Sequence, residues 1–270
     1  MVDPAGAGSA LMAHEAAWRI GIFVGVFAVL ALWQSWRPYR GVRARGLRWG
    51  RHLIIALLGS LLVRLLFPLA AVAVGAWAEG ASFGLLQQLP LPTWLVIVSS
   101  IVLLDLAIYW QHRIFHWLPP LWRLHRMHHS DTQFDVSTAI RFHPLEIVLS
   151  MLIKMGVVAL IGAPAVAVIL FEIVLNATAM FNHSDVHLPA RLDARLRWGL
   201  VTPDMHRIHH STERVETDSN FGFCLPWWDR LFGSYRPEAL VDQAEMTIGL
   251  TEFRADREQS LAAQLLQPLR

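Results

Sequence analysis

Four apolar stretches set what this chain can become, because roughly 20 apolar residues in a helix are enough to cross a bilayer. The first runs from about Trp18 to Trp36 and is unbroken from Ile20 to Trp33. It has no basic segment before it and no small-residue cleavage site after it, so it reads as an anchor rather than a signal peptide. The second runs from Leu53 to about Trp77, interrupted by Arg64, and the third from Trp94 to Trp110, with Asp105 near its end. The fourth, Leu145 to Phe181, is broken at Gly162-Ala163-Pro164 into two arms that are short for full crossings. That punctuation predicts a tight hairpin entering and leaving on one side. The expected fold is therefore all-α: a multi-pass membrane helical bundle of about three spans plus a re-entering hairpin. Composition agrees, since 54% of the 270 residues are hydrophobic. Only 16% are charged, against roughly 25% in soluble domains.

Arginine placement orients the bundle. Arg37, Arg40, Arg43, Arg45, Arg48 and Arg51 lie between the first two spans with no acidic residue among them. No Lys or Arg precedes Trp18, and the 78–93 loop carries only Glu79. The positive-inside rule then puts the basic loop in the cytoplasm and the N-terminus outside. Three passes and a hairpin leave every histidine from His112 to His210 on that same cytoplasmic face, as a histidine-rich cap. Snorkelling accounts for Lys154, whereas Arg64, mid-span, needs a partner. A net charge of +2 is too small to indicate nucleic acid, and Cys224, the one cysteine, excludes an internal disulfide and a Cys-based zinc site.

The thirteen histidines carry the chemistry. His112 and His116 are spaced i, i+4 and share a helix face. His125, His128 and His129 are spaced i, i+3, i+4, and His206, His209 and His210 repeat that spacing. The two boxes, His125-Arg-Met-His-His-Ser130 and His206-Arg-Ile-His-His-Ser211, differ only at the third position. So many imidazoles in one place, with no metal, would leave buried donors and acceptors unpaired or charges in mutual repulsion. They exceed what one ion accepts, so the pattern indicates a dinuclear site. Imidazole suits Zn, Cu, Fe and Ni, which leaves the metal open at this point. His14 and His52 read as ordinary surface or core residues.

These boxes resemble those of the sterol desaturase and fatty acid hydroxylase superfamily. The resemblance continues through Arg141-Phe-His-Pro-Leu-Glu146, the His183 segment, Thr202-Pro-Asp-Met-His206, Asn220-Phe-Gly222 and Trp228-Asp-Arg-Leu-Phe-Gly-Ser-Tyr235, covering about residues 94–236. It implies a membrane non-haem di-iron enzyme that uses O2 to hydroxylate or desaturate a sterol, fatty acyl or related lipid. The cofactors implied are two iron ions, with O2 as co-substrate. The metal ligands implied are His112, His116, His125, His128, His129, His183, His206, His209 and His210, with His187 as readily a surface residue. The expected organisation is membrane anchor spans over 1–93, a catalytic domain over 94–236 and a cytoplasmic tail over 237–270. The expected setting is a bacterial inner membrane.

Two further residues join the expected site. Asp105, seven residues before His112, lies roughly 20° short of two helical turns from it and so shares its face. A carboxylate within a span is a functional candidate, here as an acceptor for a ligand's second N–H. Asp131, Asp185 and Asp204 also lie close to the boxes in sequence. His143, with Pro144 behind it at a span boundary, is expected beside the ligands or the substrate. The 220–236 segment suits either a lid at the headgroup level or ordinary packing, and leucines 261, 265, 266 and 269 form a stripe expected to pack on the domain. No iron–sulfur motif, GxGxxG fingerprint or haem-binding His-Pro-Gly-Gly occurs. Electrons are therefore expected from a separate protein, a reductase, ferredoxin or cytochrome. The competing reading is a membrane metal-binding or metal-transport protein, but the boxes cluster at span ends rather than at the bilayer midplane where transporters bind.

Overall fold

The computed structural model describes residues 14–42, 45–67 and 70–270. Arg43 of the basic loop and the segment before His14 lie outside them. Among the described residues, helices and turns are joined by one isolated bridge, Ser211 to Ile248. The long helices are α1 (Glu15–Trp36), α2 (Arg45–Leu66), α3 (Ala70–Gly80), α4 (Thr93–Trp117), α6 (Pro144–Ile161) and α7 (Ala165–Asn182). The cap is built on shorter ones, chiefly α5 (Pro119–His129), α8 (Ala190–Leu196), α9 (Pro203–His209), α10 (Arg214–Thr217), α11 (Trp227–Leu231) and α12 (Leu261–Leu266).

Five segments are long and apolar enough to cross a membrane: α1, the run Arg45–Gln88, α4, α6 and α7. The arms of the hairpin are thus longer than the sequence implied. Each has 18 residues, or about 27 Å at 1.5 Å per residue, close to the hydrocarbon thickness. They still turn back tightly, because Gly162 closes α6 in the left-handed region at φ 71°. Pro164 then opens α7 from its N-cap position.

α7 is the centre of the bundle and packs against α1, α3 and α4, and Val158 of α6 shares its apolar cluster. Its buried face is small and apolar, with Ala165, Ala167, Val168, Ile169 and Phe171 nearly inaccessible. Small residues let membrane helices approach closely where lipid offers no hydrophobic drive. Gly75 of α3 shows how closely: a Cβ there would lie 2.9 Å from the Ala163 carbonyl oxygen. Lys154 proves to be paired rather than merely snorkelling. Its Nζ sits 2.6 Å from Glu172 of α7, and Arg19 of α1 approaches the same carboxylate at 2.7 Å. This triad, centred on the buried Glu172, ties α1 and α6 to the central helix. Arg64 needs no such partner, because α2 begins at Arg45 and Arg64 falls in its exposed last turn.

The basic loop and the histidines share one end of the molecule. Arg40 donates to the carbonyls of Gln243 and Met246, and the Asp185 carboxylate accepts from the backbone N–H groups of Arg40 and Gly41. Arg48, buried, bridges Asp131 at 2.5 Å and Asp135 at 2.7 Å. The C-terminal tail joins the same cap, with only Leu261 and Leu265 of its leucine stripe half-buried. Leu266 and Leu269 are exposed, while Gln264 and Gln267 are buried and bond Arg141 and Ser130.

Replacing Gly162 should test the hairpin. An added Cβ would meet the Phe83 carbonyl oxygen at 2.7 Å, on a backbone that L side chains rarely adopt. Gly162→Ala should lower stability by about 1–3 kcal/mol, read as a reduced thermal midpoint in detergent. An unchanged midpoint would contradict this packing.

Candidate metal centre

Each histidine box lies on a short helix that a proline starts. α4 ends at Trp117, and Pro119-Pro120 begin α5 at once, carrying His125, His128 and His129. Thr202 caps α9 by accepting from the Met205 N–H, Pro203 follows, and His206 and His209 lie on the helix with His210 as its C-cap. Proline in the first turn fixes φ where no intrahelical N–H bond is needed. α4 is 25 residues long, about 37 Å at 1.5 Å per residue, and delivers His112 and His116 in its last turns. His183 caps the C-terminus of α7.

These elements bring nine imidazoles into two groups. His112, His116, His125, His129 and His209 form one; His128, His183, His206 and His210 form the other. Within each group the candidate donor atoms all lie within 4.8 Å of one another. The boxes serve the groups crosswise. The first gives its i, i+4 pair to the five-membered group and its i+3 histidine to the four-membered one, and the second box does the reverse. The groups adjoin, with His129 and His210 stacked at 4.6 Å between centroids.

Hydrogen bonding fixes the tautomers. His112 Nδ1 lies 2.8 Å from the Phe221 carbonyl oxygen, and His209 Nδ1 lies 2.6 Å from that of Ser219. A carbonyl only accepts, so both Nδ1 atoms carry the proton. Their Nε2 atoms face each other at 3.0 Å. Burial lowers the His209 pKa to about 3, with opposing help from the Ser219 carbonyl, so that ring stays neutral. Two bare lone pairs therefore point at one another in a buried space. Only a cation between or beside them relieves that contact. His183 likewise donates from Nδ1 to the Ala179 carbonyl at 2.8 Å, which leaves its Nε2 as a bare donor atom 3.2 Å from His128 Nε2. His128 Nδ1 and both ring nitrogens of His206 and His210 find no hydrogen-bond partner. Buried polar atoms are rarely left so. The donor set fits two ions, with five and four imidazoles.

Burial also pushes the pKa values of His128, His129, His206 and His210 well below the usual imidazole range, and neighbouring imidazoles add to the effect. His183 falls to about 4, again mainly through burial. Aromatic rings wall the groups. Phe142 stacks on His128 at 4.2 Å, Phe134 faces His183 and His210, and Phe221 and Phe223 face His112. Trp122, half-buried, lies against His116 and His129.

Several expected neighbours sit elsewhere. Asp105 shares the His112 face of α4, yet His112 has already given its N–H to the Phe221 carbonyl. The Asp105 carboxylate instead accepts from the Cys224 and Leu225 backbone N–H groups and from Trp228 Nε1 at 2.8 Å. It fastens the 220–236 segment, which is a packed wall of the site: Phe221 and Trp228 are buried, and Asp229 accepts from the N–H groups of Phe221 and Gly222. His143 touches neither group. It caps α6, accepting from the Leu145 N–H, and donates from Nε2 to the Leu265 carbonyl of the tail. Asp131 serves Arg48, Asp185 the basic loop and Asp204 the Arg207 guanidinium. His187, half exposed, stacks on Tyr39 and pairs with Asp204 outside both groups. The carboxylates that do reach the nine rings are Glu146, 2.6 Å from His125 Nδ1, and Asp218, 3.3 Å from His116 Nδ1. Glu146 lies in the same motif as His143, three residues on, where helical geometry turns it toward α5.

A helical bundle with five membrane-length apolar segments, topped by a buried all-histidine centre sized for two ions, defines a narrow class of membrane protein. The chain belongs to the fatty acid hydroxylase family, whose model matches residues 97–234. It is 28% identical over 172 residues to ornithine lipid hydroxylase OlsE of Rhizobium tropici, covering 64% of this chain and 50% of that protein. It is 33% identical over 147 residues to alkylglycerol monooxygenase of Danio rerio, covering 54% of this chain and 31% of that protein. With Delta(7)-sterol-C5(6)-desaturase of Nicotiana tabacum it shares 31% identity over 170 residues, 57% of this chain and 55% of the other. The matches thus span about half or less of these relatives' lengths. No solved structure matches.

Metal-free protein should be acid-sensitive. The unfolded chain's histidines take up protons near pH 6.5, while the folded rings resist down to about pH 4 at His183 and about 3 at His209. A depressed folded pKa means that stability present above the unfolded value is lost as pH falls toward the folded one. The thermal midpoint of chelator-treated protein should be flat above about pH 7 and drop steeply below about 6.5. A midpoint unchanged down to pH 5 would contradict the buried neutral rings.

Proposed function

We propose that this chain is an O2-dependent lipid oxidoreductase that hydroxylates or desaturates a C–H bond of a sterol, fatty acyl or related lipid at a di-iron centre. The observation that carries this reading is the opposed imidazole lone pairs of His112 and His209, set within nine buried histidines gathered in two groups. The family membership supports it, and the names of the relatives above all denote oxidation of a lipid. When bound, two irons supply the redox chemistry with O2 that side chains alone cannot perform. The nine histidines would hold them, five at one position and four at the other.

The chain's own residues do the rest. Carbonyls of Phe221, Ser219 and Ala179 lock three rings in the tautomer that presents Nε2. Asp105 and Asp229 hold the segment that supplies the first of these carbonyls. Phe142 and Phe223 close the site toward the bilayer, where they meet the apolar cluster of Leu30, Val136, Ala139, Ala179 and Met180. This apolar packing surrounds the rings with a low-dielectric environment, which strengthens electrostatic interactions inside it.

Residues 94–236 form the catalytic unit in this reading, 1–93 the anchor and 237–270 a tail that steadies the cap through Gln264 and Gln267. The arginines between the first two spans favour a cytoplasmic cap in a bacterial inner membrane, where a separate reductase, ferredoxin or cytochrome supplies electrons. A metal transporter fits less well, because both groups sit at one end of the bundle.

Iron-loaded protein with a competent reductase and a lipid extract should consume O2 in proportion to lipid oxidised. One atom of labelled O2 should enter a hydroxylated product and none a desaturated one. His209→Ala should lose bound iron and reduce turnover by more than about 100-fold. Full turnover in that variant, or no oxygen uptake by the loaded protein, would sink the proposal. A reporter fused after Leu240 should read as cytoplasmic, and an external reading would overturn the orientation.

A further inference from the structure

We infer that Glu146 makes the two metal positions unequal, anchoring an ion at the five-imidazole group and leaving the four-imidazole group as the weaker, exchangeable and more open one. The inference rests on the metal reading above and concerns what this chain's own residues do to it.

The outer hydrogen bonds of the two groups differ in kind. In the five-membered group His112 and His209 donate to carbonyls, His116 faces Asp218 and His125 faces Glu146. The four-membered group has no carboxylate on any ring. Its His183 donates to a carbonyl, and the outer nitrogen of His128 has no partner. A carboxylate behind a ligating histidine fixes its orientation and raises its basicity as a donor. The five-membered group thus has more ligands and better-supported ones.

Glu146 is the stronger of its two carboxylates. Asp218 is one-third exposed and already engaged by Arg214 at 3.1 Å. Glu146 is buried, with a side-chain exposure of 4%. Among the described residues its only hydrogen-bond or ion-pair partner is His125 at 2.6 Å, and its second oxygen, Oε2, has none. Among the described residues no arginine or lysine pairs with it. A buried carboxylate lacking a cation is costly. An imidazole whose Nε2 carries a metal ion presents to that carboxylate a polarised N–H with the ion's charge behind it. His125 Nε2 is placed for this, 3.2 Å from His129 Nε2 inside the group. His143 and Pro144 set the geometry: the cap and first turn of α6 aim Glu146 across at α5. Glu146 is a positioning residue, acting through His125.

Titrating Co2+ into metal-free full-length protein in detergent tests this, with visible absorption and metal analysis as readouts. Two steps are expected. The first equivalent should give the weak bands of a five-coordinate ion, and the second the intense bands of a four-coordinate one. Azide should perturb the second set, because that position has the fewest ligands and no carboxylate nearby. Glu146→Gln should weaken the first step about 10- to 100-fold and leave the second unchanged, which also shows that the variant folds. Glu146→Asp, keeping the charge, should recover part of the loss. A single unresolved step for both ions, an unmoved first step in Glu146→Gln, or equal weakening of both steps would overturn the inference. Binding of no ion at all would overturn the metal reading itself, and this inference with it.

Discussion

Two imidazole nitrogens, His112 Nε2 and His209 Nε2, face each other at 3.0 Å with no proton to share. Each ring has committed its only N–H to a carbonyl on its other side, and burial keeps His209 neutral. That contact is repulsive unless a cation occupies the space. Much of the rest of the structure maintains it. The Phe221 carbonyl belongs to a segment that Asp105 and Asp229 fasten by accepting from its backbone N–H groups. The rings themselves come from helices that prolines start at fixed places.

The bundle serves the same end. α7 sits at its centre, with small residues that let neighbours close in, and delivers His183 at its terminus. α4 delivers His112 and His116. The basic loop, the tail and the α6 cap converge on the same end through Arg40, Arg48, Arg141 and His143. Arg141 bonds the Met127 and His128 carbonyls of α5 directly, while Arg40, Arg48 and His143 fasten the loop, tail and α6 around it. Stability and site geometry are therefore bound to the same contacts, so damage to the tail or loop reaches the rings through α5 and α9.

Much of this was legible in the sequence, and the physical reason is periodicity. Apolar runs of membrane length and histidines at i, i+3 and i+4 are local signals, and they gave the all-helical bundle and eight of the nine rings that the structure gathers, His183 having entered only through the family resemblance. The crossed division of the two boxes was not legible, because it depends on how α5 and α9 oppose each other in space. Asp105 shows the limit of helical phase: it lies on the face of His112, but the preferred acceptor for that ring came from the distant Phe221 carbonyl. In the Arg141–Glu146 motif the histidine drew attention, yet it is Glu146 that reaches a ring, while His143 caps a helix. Lys154 and Arg64 mark a similar limit. A partner eighteen residues away on an antiparallel arm, and a helix starting at Arg45 rather than Leu53, follow from contacts between elements, such as Lys154 with Glu172 and Arg48 with Asp131, and not from hydropathy.

X-ray absorption at the metal edge of loaded protein tests the central claim most directly. If the opposed lone pairs exist to hold ions, the first shell should consist of nitrogen at about 2.0–2.2 Å, with the outer-shell scattering of imidazole rings and an average of four to five rings per ion. A shell dominated by carboxylate oxygen or sulfur, or rings too few to account for both groups, would contradict the account.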